Sequence, residues 1–490
     1  MITIRQTYVP ALETRDQRTV EKYLERYAEP ESRWPVSQLA KLPVESWDYV
    51  VTIPACGEDE YLPGALESIA SCQTVVAHTK VLCIIVLNGN EAREAEFRLA
   101  NSKMRAWFCE YCTAVVTNLS PANTCPQTLM TWRNIDILIV DRSQAPWLIP
   151  VDQGVGLVRK IGADLALFLI TAGKIINPWI HTTDADARVP DDYFLMTNEL
   201  PTTSEDMPKP PSCFIYPYQH IPDVDMAQHE HDRYWPALAE YELWLRYYAA
   251  GLKWAGSSYA YPSIGSLLAC DALAYARVRG FPKRMAGEDF YFQNKLSKVG
   301  AMITLEGKPI RLLTRPSTRV PFGTGQGTIR INQLNEAGNI YEAYHPLVFD
   351  FLKGFLSAVQ YWLQDSDRGN NEKQLVFLSS IEKYLPVSKQ NVCDNRAWLQ
   401  DLLTELDVFK NLHAAEKRSR SLQGACSQFN DWFDGFRTLK LIHHLRDDLY
   451  GSLPLLDALQ HSAFLQKPEL RAGKGNLVEA WLESFRTNSF

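Results

Sequence analysis

Two carboxylates, Asp184 and Asp186, stand at i and i+2 directly after the apolar run Ile175 to Thr183. Magnesium and manganese prefer oxygen ligands, and an ion already carried by a phosphate takes only one or two carboxylates from a protein. The pair is therefore a candidate cation site beside a diphosphate. Capping of the following turn is the competing use of the same residues. A second acidic pair, Glu288 and Asp289, follows Gly287 and opens a helical pattern over Phe290 to Val299. Its use is either to complement the helix dipole or to remove a proton from a hydroxyl nucleophile. A third cluster, Glu58-Asp59-Glu60, lies between the run ending Pro54-Ala55 and a helical pattern from Tyr61 to Ala70. A loop carboxylate or backbone amide there could bind ribose or base, or cap the helix. The fourth phrase, Gly154-Val-Gly156-Leu-Val-Arg159-Lys160-Ile-Gly162, puts glycines and two cations at a helix start, where phosphates could be met.

These phrases need elements to hold them. Tyr49 to Pro54, Val81 to Leu87, Ile135 to Val140, Ile175 to Thr183 and Cys213 to Tyr218 are short apolar runs that read as buried strands. Helical patterns alternate with them over Arg93 to Cys109 and Gly154 to Leu169. Alternation predicts an α/β fold with a mostly parallel sheet covered on both faces. Ligands in such sheets sit outside the carboxyl ends of the strands, where each polar phrase falls. Residues 1–46 read as a leader with one helix, Arg18 to Tyr27, broken by Pro30 and Pro35. The α/β domain is expected over 47–330. From 331 to 490 strand-like runs vanish and helical periodicity dominates, predicting an all-helical C-terminal domain with apolar faces on which a homodimer could form.

Composition sets the outer limits. The 490 residues are 46% hydrophobic and 22% charged, the balance of a folded chain. A net charge of −7 excludes a global basic field for nucleic acid. Ten cysteines hold one C-x-x-C, Cys109 and Cys112, with no second pair at zinc-site spacing, so reduced thiols are expected. Charges run through the first residues, which gives no signal-peptide pattern, and no stretch reaches a membrane span, so the expected location is the cytoplasm.

Taken in order, the phrases resemble the family 2 glycosyltransferases of the GT-A fold, nucleotide-diphospho-sugar transferases. The resemblance runs over about residues 48–325. It is carried by Ile53-Pro54-Ala55-Cys56-Gly57-Glu58-Asp59-Glu60-Tyr61-Leu62, Asn88-Gly89-Asn90, the Gly154 to Gly162 phrase, Thr183-Asp184-Ala185-Asp186 and Gly287-Glu288-Asp289 with Leu296 and Gly300. It implies that Asp184 and Asp186 bind Mn²⁺ or Mg²⁺ and the diphosphate of a UDP- or GDP-linked donor. Glu58 would lie at the nucleoside and Asn88 near base or ribose, with Pro54 and Ala55 also binding the donor and Arg159 and Gly162 shaping its pocket. Asp289, beside Glu288, would be the base of an inverting transfer to a hydroxyl acceptor. Asn88 stands where the family often has Asp. Asn88 to Arg159 spans 159 − 88 = 71 positions, longer than the family leads one to expect, so an insertion is expected near 101–147. The family's third metal ligand is not assigned; His220, His229, His231 and His345 are its candidates, and His181 is expected to be packed.

Trp235, Tyr241, Trp244 and Tyr248 recur at helical spacing and serve either as core or as a stacking surface for an acceptor sugar. Arg315 to Arg319 and Gly323 to Gly327 form a basic, then glycine-rich segment that reads equally as a lid or as a linker. Three rival readings remain open. They are a retaining enzyme of the sugar-glycerate type, a nucleotidyltransferase, and a catalytically silent scaffold. The acidic loop after Pro54 argues against the second, and the intact carboxylates against the third.

Overall fold

A computed structural model describes residues 14–72, 79–198, 209–222, 228–314, 323–386, 392–468 and 476–487. The chain divides into two compact units, Met1–Asp232 with Ser263–Gly327, and Arg233–Pro262 with Thr328–Phe490. The first holds a large mixed sheet flanked by helices; the second is mostly helical but not all-helical as expected, since Glu342–Tyr344 pairs antiparallel with Ser452–Pro454.

The strands of the large sheet are β1 (Tyr49–Ala55), β2 (Val81–Asn88), β3 (Thr113–Val116), β4 (Gln127–Trp132), β5 (Ile135–Arg142), β6 (Trp179–Thr182), β8 (Pro211–Ile215), β10 (Leu268–Asp271) and β11 (Ala301–Thr304). Their order is β11-β8-β10-β6-β1-β2-β5-β4-β3. The central four, β6-β1-β2-β5, run parallel, with Thr52 level with Thr182 and Ala55 with Leu87. β2 is buried along its whole length, as a central strand covered on both faces must be. Three short strands, β7 (Ala187–Arg188), β9 (Tyr218–Pro222) and β12 (Ile310–Thr314), form a second sheet in the order β7-β12-β9.

The stretch expected as an insertion builds one edge of the large sheet. β5 is part of its parallel centre, and β4 and β3 extend it antiparallel. Within the described residues, the single strand expected over Cys213 to Tyr218 is two, β8 and β9, which belong to different sheets.

The helices of this unit are α1 (Thr14–Arg26), α2 (Leu62–Cys72), α3 (Glu94–Tyr111) and α4 (Gly154–Thr171). The long α5 (Gln228–Ala255) leads into the other unit, and α6 (Ala272–Arg277) and α7 (Glu288–Val299) complete the first. Helix α4 is almost wholly buried against β1 and β2. Gly162 permits this, because a Cβ there would lie 3.2 Å from Thr52 Cβ and 3.5 Å from Val86 Cγ2. α1 is tied to α4 by a buried polar cluster. Lys160 Nζ donates to Asp164 Oδ2 at 3.0 Å and to the Tyr23 hydroxyl at 2.5 Å, while Tyr275 OH donates to Asp164 Oδ1 at 2.7 Å. Burial pushes the Asp164 carboxyl up, and Lys160 opposes this.

The helical unit includes α9 (Leu347–Gln364), which follows α8 (Thr324–Glu336) along the chain, and its last described residue is Thr487. Its core gathers Leu243, Tyr247 and Leu252 of α5 with Phe349, Phe351, Leu352 and Phe355 of α9. Residues 233–262, lying in sequence within the α/β stretch, thus count with the helices. Among the described residues no helix is long and apolar enough to cross a membrane. Cys109 lies exposed in the last turn of α3, and Cys112 just beyond that helix is buried, its thiol pushed by burial up to about 11.

Candidate active site

Pro54 sits at the carboxyl end of a central strand, where a residue without an N–H is normally excluded. Its place follows from the register. Thr52 O accepts from Thr183 N at 3.1 Å, so Thr52 and Pro54, two apart, both offer their backbone to β6. β6 has ended by then, and its chain swings away at Asp184. That swing is the Asp184-Ala185-Asp186 turn, fixed on two sides. Ala187 N donates to Asp184 O at 3.1 Å, and Leu313 N of β12 donates to Asp186 O at 3.1 Å. The turn joins the large sheet to the small one, and its two carboxylates are held on a backbone with little freedom left.

Arg159 of α4 reaches this turn. Its Nη2 donates to Asp184 Oδ1 at 2.7 Å and its Nε to Glu288 Oε1 at 2.9 Å. Arg159 and Glu288 are buried, and Asp184 is about a third exposed. Burial works against the guanidinium's charge, but Asp184 and Glu288 outweigh it and hold its pKa above the ordinary arginine value. Gly265 makes room, since a Cβ there would lie 2.7 Å from Nη2. Arg159 Nη1 and the Thr183 hydroxyl are buried with no hydrogen-bond partner among the described residues.

Asp289 follows Glu288 at the start of α7, which Gly287 enters at φ 71°. A left-handed residue here suits glycine. Asp289 Oδ1 accepts from Phe290 N at 2.7 Å. Burial, then the neighbouring charge of Glu288, push its carboxyl up to about 7, against the pull of Arg159. A carboxyl at that pKa is poised to accept a proton near neutrality.

The glycines at the start of α4 serve another purpose than the one read from sequence. A Cβ at Gly154 would lie 2.5 Å from Met285 Cα, and one at Gly156 would collide with Pro282 O and lie 2.6 Å from Arg284 N. Gly156 N also donates to Arg284 O at 3.0 Å. The glycines seat the loop 282–285, which leads straight into Glu288 and Asp289. Lys160 likewise turns away from the site into the Asp164 cluster. Its i,i+4 spacing to Asp164 was visible in the sequence as an ion-pair signal. Gly156→Ala is expected to lower stability by about 1–3 kcal/mol through this overlap. It should also move the pH midpoint of any Asp289-dependent activity, which a pH–rate profile of the variant would read.

At the ends of β1 and β2, Asn88 Nδ2 donates to Ala55 O at 3.0 Å, and Asn101 Nδ2 donates to Asn88 O at 3.0 Å. Asn101 Oδ1 in turn accepts from Gly57 N at 3.0 Å. Asn101, unremarked in the sequence, thus links the Gly57 loop to β2. Glu58 is buried, and its carbonyl accepts from Tyr61 and Leu62 N at 3.1 and 2.9 Å, opening α2.

The structure brings Arg159, Asp184 and Glu288 into contact and sets Asp289 within their field. Pro54, Ala55 and Asn88 are brought together at adjacent strand ends. Gly162 lies beneath, against the sheet. Trp235, Tyr241 and Trp244 belong to the other unit, where Trp244 stacks on Tyr248 with centroids 6.0 Å apart and packs on the helical core. His181 is fully buried among Tyr49, Tyr193, Phe194 and Tyr216, and burial holds its pKa down to about 3, so it is a neutral packed ring. His220 is buried in β9, and His229 lies in α5. The His231 side chain and residues 315–319 lie outside the described residues, and Thr324 begins α8. Among the described residues no group of three or more His, Cys, Asp or Glu is placed to hold an ion unaided. Asp184 and Asp186 suit instead a cation shared with a diphosphate, which needs only one or two carboxylates.

No protein-family model matches this chain. No curated protein matches it. Among solved structures, it is similar to S. aureus TarS 1–349 in complex with UDP-GlcNAc at 11% identity, covering 82% of this chain and 93% of that chain, with a TM-score of 0.32. It is also similar to the mannosyltransferase PcManGT from Pyrobaculum calidifontis in complex with GDP-Man and Mn²⁺, at 13% identity over 86% of this chain and 97% of that chain, with a TM-score of 0.31. Likenesses at these scores assign no activity.

Proposed function

We propose that this chain is a metal-dependent glycosyltransferase of the GT-A, family 2 type. It moves a sugar from a nucleotide-diphosphate donor to a hydroxyl acceptor with inversion. The observation that carries the reading is the Arg159 bridge. One buried guanidinium joins the carboxylate turn after β6 to the acidic start of α7, and beside it stands a carboxyl raised to about 7. The order of the five sequence phrases supports the same reading.

In this reading Asp184 and Asp186 hold Mn²⁺ or Mg²⁺ together with the donor diphosphate. The ion, when bound, neutralises charge growing on the leaving diphosphate. Arg159 Nη1 and the Thr183 hydroxyl, both without a hydrogen-bond partner among the described residues, donate to phosphate oxygens. Glu58, with Pro54, Ala55 and Asn88 at the strand ends, receives the nucleoside. Asp289 takes the proton of the acceptor hydroxyl as it attacks, and the neighbouring Glu288 stays paired with Arg159.

Thermal-shift titration with UDP, GDP and their sugar conjugates, with and without Mn²⁺, tests this on wild type and Asp186→Ala. One nucleotide series should stabilise the wild type only with metal, by about 2.7 kcal/mol at a hundredfold excess over Kd. Asp186→Ala should abolish the response. A folded wild type indifferent to every nucleotide with metal would overturn the proposal.

A further inference from the structure

A cavity of about 320 Å³ lies between α1 and the end of α6, apart from the carboxylate site. Arg18 and Lys22 of α1 line it from one side, and Arg277 and Arg279 from the other, with the rings of Tyr23 and Tyr27 between. Among the described residues no acidic one lines it. Asp16 pairs with Arg277 at 2.7 Å, which answers one of the four cations. Arg18 and Lys22, exposed one helical turn apart, have no ion-pair partner among the described residues. The carboxylate beneath, Asp164, is committed to Lys160 and two tyrosine hydroxyls.

A second observation points the same way. Arg279 holds φ 66° although it is not glycine, and its guanidinium lies 4.9 Å from the centre of the Tyr27 ring. This left-handed position closes α6, with Arg279 N donating to Ala276 O at 3.2 Å and Gly280 N to Tyr275 O at 2.9 Å, a helix stop at which glycine is usual. Glycine would fit this backbone better, yet an arginine is there, and it lines the cavity. Gathered cations on a net acidic chain repel one another unless an anion joins them. Half-buried Lys295, whose pKa burial lowers first, is lowered further by Arg279, Arg284 and Lys160.

We propose that this cavity is a binding site for a small phosphate-bearing anion. Arginine forks match phosphate oxygens in pairs, and Lys22 adds a point charge. The volume is at the lower end of small-molecule sites, enough for a di- or triphosphate group with an attached fragment. The anion is either a free phosphorylated molecule or a lipid headgroup. Tyr23 lines the cavity and bonds Lys160, the neighbour of Arg159 on α4, so the site abuts the cluster that anchors that helix.

The test is done without divalent cations, in EDTA, so that Asp184 and Asp186 contribute no metal-bridged phosphate binding. Tripolyphosphate is titrated calorimetrically into the full chain, and in a parallel arm the chain is sedimented with vesicles of phosphatidylcholine and phosphatidylglycerol. Binding in the first arm identifies a soluble ligand, and binding in the vesicle arm alone identifies a headgroup. In either case Arg18→Gln with Lys22→Gln should weaken it at least tenfold at an unchanged melting temperature, and added salt should weaken it in the wild type. Arg279→Gly should weaken it as well without lowering the melting temperature. Equal binding by wild type and the Arg18→Gln, Lys22→Gln variant would overturn the proposal. So would the absence of binding in both arms.

Discussion

Asp289→Asn should abolish most transfer and yet make the protein more stable above neutral pH. Amide cannot take the acceptor's proton, and loss of a general base lowers rate by about 10²–10⁴-fold. Stability moves the other way. The folded carboxyl is raised from 3.8 to about 7, so the fold favours its protonated form. Its contribution is present below about pH 4 and is lost as pH rises through 7. Asparagine resembles the protonated form at every pH. Wild type should therefore lose stability against the variant between pH 4 and 8, by on the order of 1–2 kcal/mol after allowing for the residue's partial exposure. Denaturant melts across that range, in metal-free buffer, give the difference. The rate of the wild type should rise with pH around the same midpoint. A variant less stable than wild type at pH 8 would show that Asp289 is charged and needed in the fold, and would remove it as the base.

Arg159→Met should unfold the first unit more readily than any other single change at the site. It leaves Glu288 buried without its partner and Asp184 without its tie. Breaking one side of a buried pair costs about 3–5 kcal/mol, most of it from the stranded charge. The double variant Arg159→Met, Glu288→Gln should recover a large part of that loss, with a coupling of about 1–3 kcal/mol. Chemical denaturation of the four proteins of the cycle measures it. Additive losses would mean that the bridge carries no energy in solution. Recovery of stability without recovery of donor binding would separate the fold role of Arg159 from its phosphate role.

Much of this site was legible because chemistry and strand ends coincide in sequence. Ile53-Pro54-Ala55 and Thr183-Asp184 each join an apolar run to polar residues, and parallel pairing then sets such ends side by side. What was not legible depends on long-range packing. Gly154 and Gly156 look like a phosphate loop, and only the seating of residues 282–285 shows that they accommodate backbone. Lys160 sits beside Arg159 in sequence, but one residue on a helix turns a side chain by about 100°, and the two cations part company. His181, three residues before Asp184 and inside the apolar run, was expected to be packed, and it is buried among aromatic rings. Two strands inside the stretch expected as an insertion, β3 and β4, were missed for a different reason. Strands β3 and β4 are short, half-exposed edge elements with mixed residues, whose pattern is weaker than that of the buried centre.

The helical unit draws residues 233–262 from the middle of the other unit's sequence. The chain thus passes from one unit to the other three times, after Asp232, after Pro262 and after Gly327. Neither unit corresponds to one uninterrupted length of polypeptide, so neither can be obtained by trimming an end. A fragment stopped at Gly327 would keep Leu243, Tyr247 and Leu252 while losing the α9 residues that cover them. During synthesis, those three side chains leave the ribosome well before α9 exists. The carboxylate site is sandwiched around this gap in the sequence, with Asp184 made before it and Glu288 after it. Completion of the Arg159 bridge therefore waits on a stretch of chain whose own core is still unmade.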